Sequence, residues 1–98
     1  MAYTVIRHYK DSSALMDELE RRPDEVESLI RAVAGFQQYY LVRTDGGGFS
    51  VSVFDDRVGA EESVRVAAQF IRDNIPDVTV DPPEVIAGDV MISFAGKG

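Results

Sequence analysis

The stretch FQQYYLVRTDGGGFSVSVFD, residues 36–55, decides the fold. Two runs of alternating side chains, Gln37 to Thr44 and Gly48 to Asp55, flank Asp45-Gly46-Gly47, whose glycines accept the positive φ angles of a tight turn. The spacing predicts a β-hairpin. A period of two sorts its residues into rows: Phe49, Val51 and Val53 alternate with Ser50, Ser52 and Phe54, while Gln38, Tyr40 and Val42 alternate with Tyr39, Leu41 and Arg43.

Upstream, Tyr3 to Lys10 is rich in β-branched and aromatic residues and reads as a strand, with Asp11, Ser12 and Ser13 as helix caps after it. Leu15, Leu19, Val26, Leu29, Ile30 and Val33 recur at helical spacing. Pro23, followed by Asp24 and Glu25, predicts a kink or restart after Arg22, and Gly35 supplies a left-handed C-cap. Downstream, Glu61 to Ile75 carries Val64, Ala67, Ala68, Ile71 and Ile75 on one stripe, and Pro76 stops this second helix. Asp77 to Glu84, with Pro82 and Pro83, reads as an extended connection with an edge segment at Val78 to Val80. The alternation of Val90, Ile92 and Phe94 places a last strand over Asp89 to Phe94. Strand, helix, hairpin, helix, strand is the α+β, ferredoxin-like βαββαβ order with a four-stranded antiparallel sheet. At 98 residues the chain is read as one domain, 1–98.

The rows must then be assigned to faces. Phe49, Val51 and Val53, with Val90, Ile92 and Phe94, form an apolar row expected to face the helices. Ser50, Ser52, Phe54, Met91, Ser93, Tyr39, Leu41 and Arg43 are expected on the open face, because burying an unpaired guanidinium under a helix costs several kcal/mol. The same logic puts Val5, Arg7 and Tyr9 on the open face and Thr4, Ile6 and His8 toward the helices; a one-residue bulge would reverse the strand and bring His8 into the pocket. A face holding Tyr9, Tyr39, Leu41, Phe54 and Met91 is too apolar to stay wet. At about 25 cal/mol per Å² its burial would sustain a homodimer, two sheets closing into an α/β barrel around a small pocket.

Composition narrows the partners. Seventeen acids against ten bases give a formal charge of −7, which repels nucleic acid and anionic lipid. The absence of cysteine excludes disulfides and thiolate ligands and fits a reducing cytosol. No apolar run approaches the roughly 20 residues of a membrane helix. No targeting leader is visible, so a cytoplasmic location is expected.

The run Ala34-Gly35-Phe36, followed by Tyr39-Tyr40-Leu41 and the glycine-rich hairpin in this element order, resembles the antibiotic biosynthesis monooxygenase-like dimeric α/β-barrel superfamily over nearly the whole chain. The resemblance implies a homodimer with a ligand cavity between sheet and helices; members include cofactor-independent oxygenases, haem-degrading enzymes and proteins of no known activity. The chain departs from the catalytic members. It has no tryptophan, its one asparagine is Asn74 near a helix end, and its one histidine is His8 on a strand, where a haem-degrading member would need a helical one. Haem is therefore disfavoured, no cofactor is expected, and oxygenase residues do not carry over.

Among individual residues, His8 is a candidate base or a packed strand histidine. Arg7 and Arg43 are candidates to hold an anionic or carbonyl-bearing ligand, or to pair with an acid of a partner subunit. Tyr9, Tyr39 and Tyr40 line a pocket or simply pack. Gly46-Gly47-Gly48 joins two strands and is no phosphate loop, Asp55-Asp56 and Glu61-Glu62 suit turns and caps, and no metal-ligand spacing is present. The expected catalytic candidates are His8 and Arg43, and the expected ligand-binding set is Arg7, Tyr9, Tyr39, Arg43, Ser52, Phe54 and Met91. Three functions compete: a small-molecule-binding homodimer, a cofactor-independent monooxygenase or isomerase acting on an aromatic or quinone-like substrate, and a structural dimer with no ligand.

Overall fold

The computed structural model describes residues 1–96. The chain runs β1 (Tyr3–Tyr9), α1 (Ser13–Glu20), α2 (Pro23–Arg31), β2 (Phe36–Thr44), β3 (Gly47–Phe54), α3 (Arg57–Asn74) and β4 (Glu84–Asp89). The four strands form one antiparallel sheet in the order β2-β3-β1-β4. With all helices on one face, this is the expected ferredoxin-like arrangement.

Local chemistry explains the boundaries. Pro23 occupies the first turn of α2, with Asp24 and Glu25 near the positive end of the helix dipole, so the predicted restart is present. α3 begins at Arg57, four residues before the expected Glu61, because Asp56 caps it: the carboxylate accepts the Gly59 N–H at 3.2 Å. Gly35 leaves the helical region at φ 81°, and its carbonyl accepts the Asp55 N–H at 2.8 Å, tying the entrance of β2 to the exit of β3. A bulge at Gln37 follows, since Phe36 pairs with Phe54 and Gln38 with Val53. It brings Phe36 and Tyr39 to the same face, where the Phe36 and Phe54 rings meet edge to face at 6.0 Å.

The expected rows are intact, but the sheet presents them to the opposite sides. Val5, Arg7 and Tyr9 of β1 and Ser50, Ser52 and Phe54 of β3 are buried beneath the helices, against Leu15, Leu19, Val26 and Ile30. Thr4, Ile6 and His8 lie on the open face with Phe49, Val51 and Val53. The cause is volume. Gly48, Ser50 and Ser52 are small enough for helices and long β1 side chains to share the space above them, and the Met16 side chain occupies the position a Cβ at Gly48 would need.

The last strand also differs from expectation. β4 starts at Glu84, directly after Pro82-Pro83, and ends at Asp89, where it pairs with Tyr3. Past Asp89 one further bond runs from the Val90 N–H to the Ala2 carbonyl at 2.8 Å, outside β1. Met91 to Phe94 belongs to no strand, with Met91 86% and Phe94 91% exposed, rather than packed under the helices. Val78 to Val80 is likewise not a strand.

The two positive-φ glycines separate strain from crowding. At Gly35 an added Cβ would lie 3.2 Å from Cβ of Asp55, whereas at Gly46, φ 79°, it would meet nothing within 4 Å. A left-handed non-glycine residue costs about 1–2 kcal/mol. Gly46→Ala is expected to lose about that much in urea unfolding and Gly35→Ala measurably more; equal losses would show that the Gly35–Asp55 junction does not constrain the fold.

Candidate functional site

Residue types set the interior above the two central strands. Opposite Ser50 in the register stands Arg7 on one side and Leu41 on the other; opposite Gly48 stand Tyr9 and Arg43; opposite Ser52 stand Val5 and Tyr39. One strand of small side chains thus sits between two strands of large ones. The Arg7 guanidinium fills part of that room and is only 2% exposed. Its Nε donates to Oγ of Ser50 at 3.0 Å, and its Nη1 donates to the Ser63 carbonyl of α3 at 3.1 Å. Oγ of Ser63 donates in turn to the Ala60 carbonyl at 2.7 Å. Two of the five guanidinium donors are held by neutral acceptors, and among the described residues no carboxylate pairs with the charge. Charge-assisted bonds recover part of the desolvation cost, yet an uncompensated buried ion remains expensive by several kcal/mol.

Tyr9 and Tyr39 flank this cation. Burial pushes the Tyr9 phenol above its ordinary value of 10.0, and the Arg7 charge opposes the shift. Burial likewise raises Tyr39, with the Arg7 charge again drawing it down. Desolvation wins in both, so each phenol stays protonated and able to donate a hydrogen bond.

Two clefts lead to this cluster. One, of about 770 Å³, lies between α1–α2 and β2, with Met16, Leu19, Val26, Ile30, Tyr39 and Leu41 among its walls and Arg43 at its mouth. The other, of about 670 Å³, lies between α3 and the chain from Ile75 to Val85, and Arg7 and Tyr9 line it together with Val64, Ile71, Val78 and Val80. A void of about 20 Å³ between them is lined by Arg7, Tyr9, Tyr39, Leu41 and Ser50, and such a space holds about one water.

Of the expected ligand-binding set, the structure gathers Arg7, Tyr9 and Tyr39 around this centre. Ser52 and Phe54 share their face but belong to the packed core, with Oγ of Ser52 buried and unpartnered. Arg43 lies at the mouth of the first cleft, its Nη2 held at 3.0 Å by Asp17 and at 2.7 Å by Glu20, so its acids come from its own chain rather than a partner. Met91 stands outside, on the unpaired segment. His8 is on the open face, its Nδ1 3.9 Å from Glu84, across the sheet from both clefts. An imidazole there cannot ligate a group in the interior, so the residues present do not fit a histidine-ligated haem. The sequence reading missed Arg72, Val64 and the 76–83 segment as cleft walls; the one signal was an apolar pair, Val78 and Val80, with no strand partner.

No protein-family model matches the sequence, and no curated protein matches it. Solved structures do. NE2512, a protein of unknown function from Nitrosomonas europaea, superposes with a TM-score of 0.65 at 19% identity, covering 99% of this chain and 94% of that one. A candidate antibiotic biosynthesis monooxygenase from Bordetella bronchiseptica gives 0.70 at 14% identity, covering 93% and 98%. A point mutant of MhuD, solved with two manganese protoporphyrin IX molecules per active site, gives 0.71 at 14% identity, covering 98% and 100%. The chain shares its fold with these structures. Identities this low carry the fold and no residue roles.

The raised phenols predict a pH dependence. A group whose folded pKa lies above its unfolded value contributes stability below the unfolded value and loses it as pH rises through the folded one. Stability is expected to fall from about pH 10 upward. The decline in urea midpoint between pH 9 and 11.5 is expected to be shallower in the Tyr9→Phe, Tyr39→Phe double variant; parallel curves would mean that neither phenol is desolvated.

Proposed function

We propose that this protein binds a small organic molecule in the interior between sheet and helices, and that it does so as a homodimer. The observation that carries the binding reading is the Arg7–Tyr9–Tyr39 cluster: a buried cation with no acid, two protonated phenols beside it, and apolar clefts reaching it from outside. Small-molecule sites have this composition, mostly apolar walls with a few convergent polar groups, and volumes of roughly 300–1,000 Å³. A purely structural protein gains nothing from an unpaired interior charge, since apolar residues of similar volume are neutral or better there. The bound porphyrins of MhuD support the capacity of the fold for flat organic ligands in that protein's active site.

The dimer reading rests on the other face. Tyr40, Val51, Ile6 and Ile86 stand in register across all four strands, flanked by the row Val42, Phe49, His8 and Glu84. Tyr40 is 59% and Ile86 57% exposed. Four strands about 4.8 Å apart and seven residues at about 3.3 Å give roughly 440 Å² of flat surface, short of the ~800 Å² per partner of a standard interface. The exposed Met91, Ile92 and Phe94 supply apolar area toward the remainder. A second copy is the occupant that such a ladder suits, because a two-fold pairing buries the same apolar patch on both chains at once.

Cofactor-free oxygenation in the same interior would have to use Arg7 and the two phenols, since His8 lies across the sheet and Arg43 is neutralised by Asp17 and Glu20. Oxygen consumption with a quinol substrate, lost in Arg7→Met but kept in His8→Ala, would favour that chemistry over binding alone.

Two measurements test the proposal. Light scattering is expected to give twice the 10.8 kDa of one chain, and Val51→Lys, at the centre of the ladder, one chain's mass with native circular dichroism. Ligand-observed NMR with aromatic metabolites is expected to show saturable binding that Arg7→Met removes, with thermal stability unchanged or raised. A wild-type monomer would remove the dimer, and absence of binding across the set would remove the site.

A further inference from the structure

The arginines divide into two groups. The chain has eight, and six of them meet a carboxylate of their own chain: Arg21 and Arg22 with Glu18, Arg31 with Glu27, Arg43 with Asp17 and Glu20, Arg57 with Glu61 and Arg65 with Glu62. Among the described residues Arg7 and Arg72 alone have no such partner, and both line the cleft between α3 and the 75–85 segment. The protein has seventeen acids against ten lysines and arginines, so the omission is not for want of carboxylates.

We infer that this cleft takes an organic monocarboxylate, its carboxylate received by the free donors of Arg7 beside the Tyr9 hydroxyl and its apolar body lying along Ile71, Val78 and Val85. The inference rests on the binding function proposed above and names its ligand class. Three features select that class. The buried charge is a guanidinium, whose planar fork matches a carboxylate; Ser50 and Ser63 hold its Nε and Nη1, and its other polar neighbour is the neutral Tyr39 phenol, not an acid. The remaining walls are almost wholly apolar, with Asp81 the one acid, which suits a hydrocarbon body and not a sugar or a nucleotide. The overall charge of −7 repels polyanions at long range, while a single negative charge, once past a Debye length of about 8 Å, meets the local cation in low dielectric. The first cleft lacks these features, because its cations Arg31 and Arg43 are already paired with acids.

The purified full chain is titrated with 2-naphthoate and with its neutral isostere 2-naphthamide, followed by saturation-transfer NMR and fluorescence. The acid is expected to bind at least tenfold tighter than the amide, and inorganic phosphate at millimolar concentration is expected not to displace it. Ala68→Trp, which fills this cleft from the exposed side of α3, is expected to lose at least tenfold, and Phe36→Trp, in the other cleft, less than twofold. Arg7→Met is expected to bind acid and amide equally weakly with an unchanged circular dichroism spectrum. Equal affinity of acid and amide in the wild type overturns the carboxylate assignment and leaves the binding function standing. Displacement by phosphate, or sensitivity to Phe36→Trp in place of Ala68→Trp, overturns the assignment as well, and no binding of either probe overturns the binding function itself.

Discussion

The guanidinium of Arg7, held under the helices by a serine hydroxyl and a serine carbonyl and met by no acid, is the interaction on which the arrangement of this protein turns. It fixes the side of the sheet that the helices cover, because only the row Gly48, Ser50, Ser52 leaves room for it. It accounts for Ser63, 0% exposed in the middle of α3, whose carbonyl takes an Arg7 N–H while its hydroxyl folds back onto its own helix. It also accounts for the clefts, since a core packed to ordinary density around a charge would strand that charge, whereas a core left open offers it a partner.

The sequence made the element order, the helix restart at Pro23, the cap at Gly35 and the hairpin readable, because each rests on short-range chemistry: a fixed φ, a positive φ, a period of two. The rows on the sheet were readable for the same reason. Their facing was not. Desolvation assigned both Arg43 and Arg7 to the open face, yet both stand on the helix side, Arg43 exposed at a cleft mouth between Asp17 and Glu20 and Arg7 in the core. A cost is a poor guide to placement where two serine acceptors recover part of it. Val51 and Ile6 misled for the complementary reason: an apolar row signals that something covers it, and says nothing about whether a helix or another molecule does so.

The last strand failed on a limit no local pattern contains. Val90, Ile92 and Phe94 alternate as well as any strand in the chain, but a strand needs a neighbour, and β1 runs out at Tyr3. Glu84 to Asp89 pairs because it lies opposite His8 to Tyr3, even though it carries a glycine and two acids. Register, set by where β1 begins, overrode propensity. The site residues followed the same division. Arg7, Tyr9 and Tyr39 were legible as a set because they share a parity, whereas Arg72 and the Val78–Pro83 wall come from elements whose approach only the folded chain reveals.

The acidic surface and the cationic interior are two sides of one distribution. Exposed pairs such as Arg31–Glu27 or Arg57–Glu61 are each worth at most about 1 kcal/mol, so they do little for stability. Their effect is on the field: each removes a cation that an anion approaching the surface would otherwise find. With the remaining acids in excess, the outside repels anions weakly at physiological salt, and attraction survives only where a cation is both unpaired and shielded from water. Arg7 meets both conditions. For the proposed anion site, discrimination would come less from how strongly the interior attracts than from how completely the other arginines have been neutralised, which is why their pairing belongs to the description of that site.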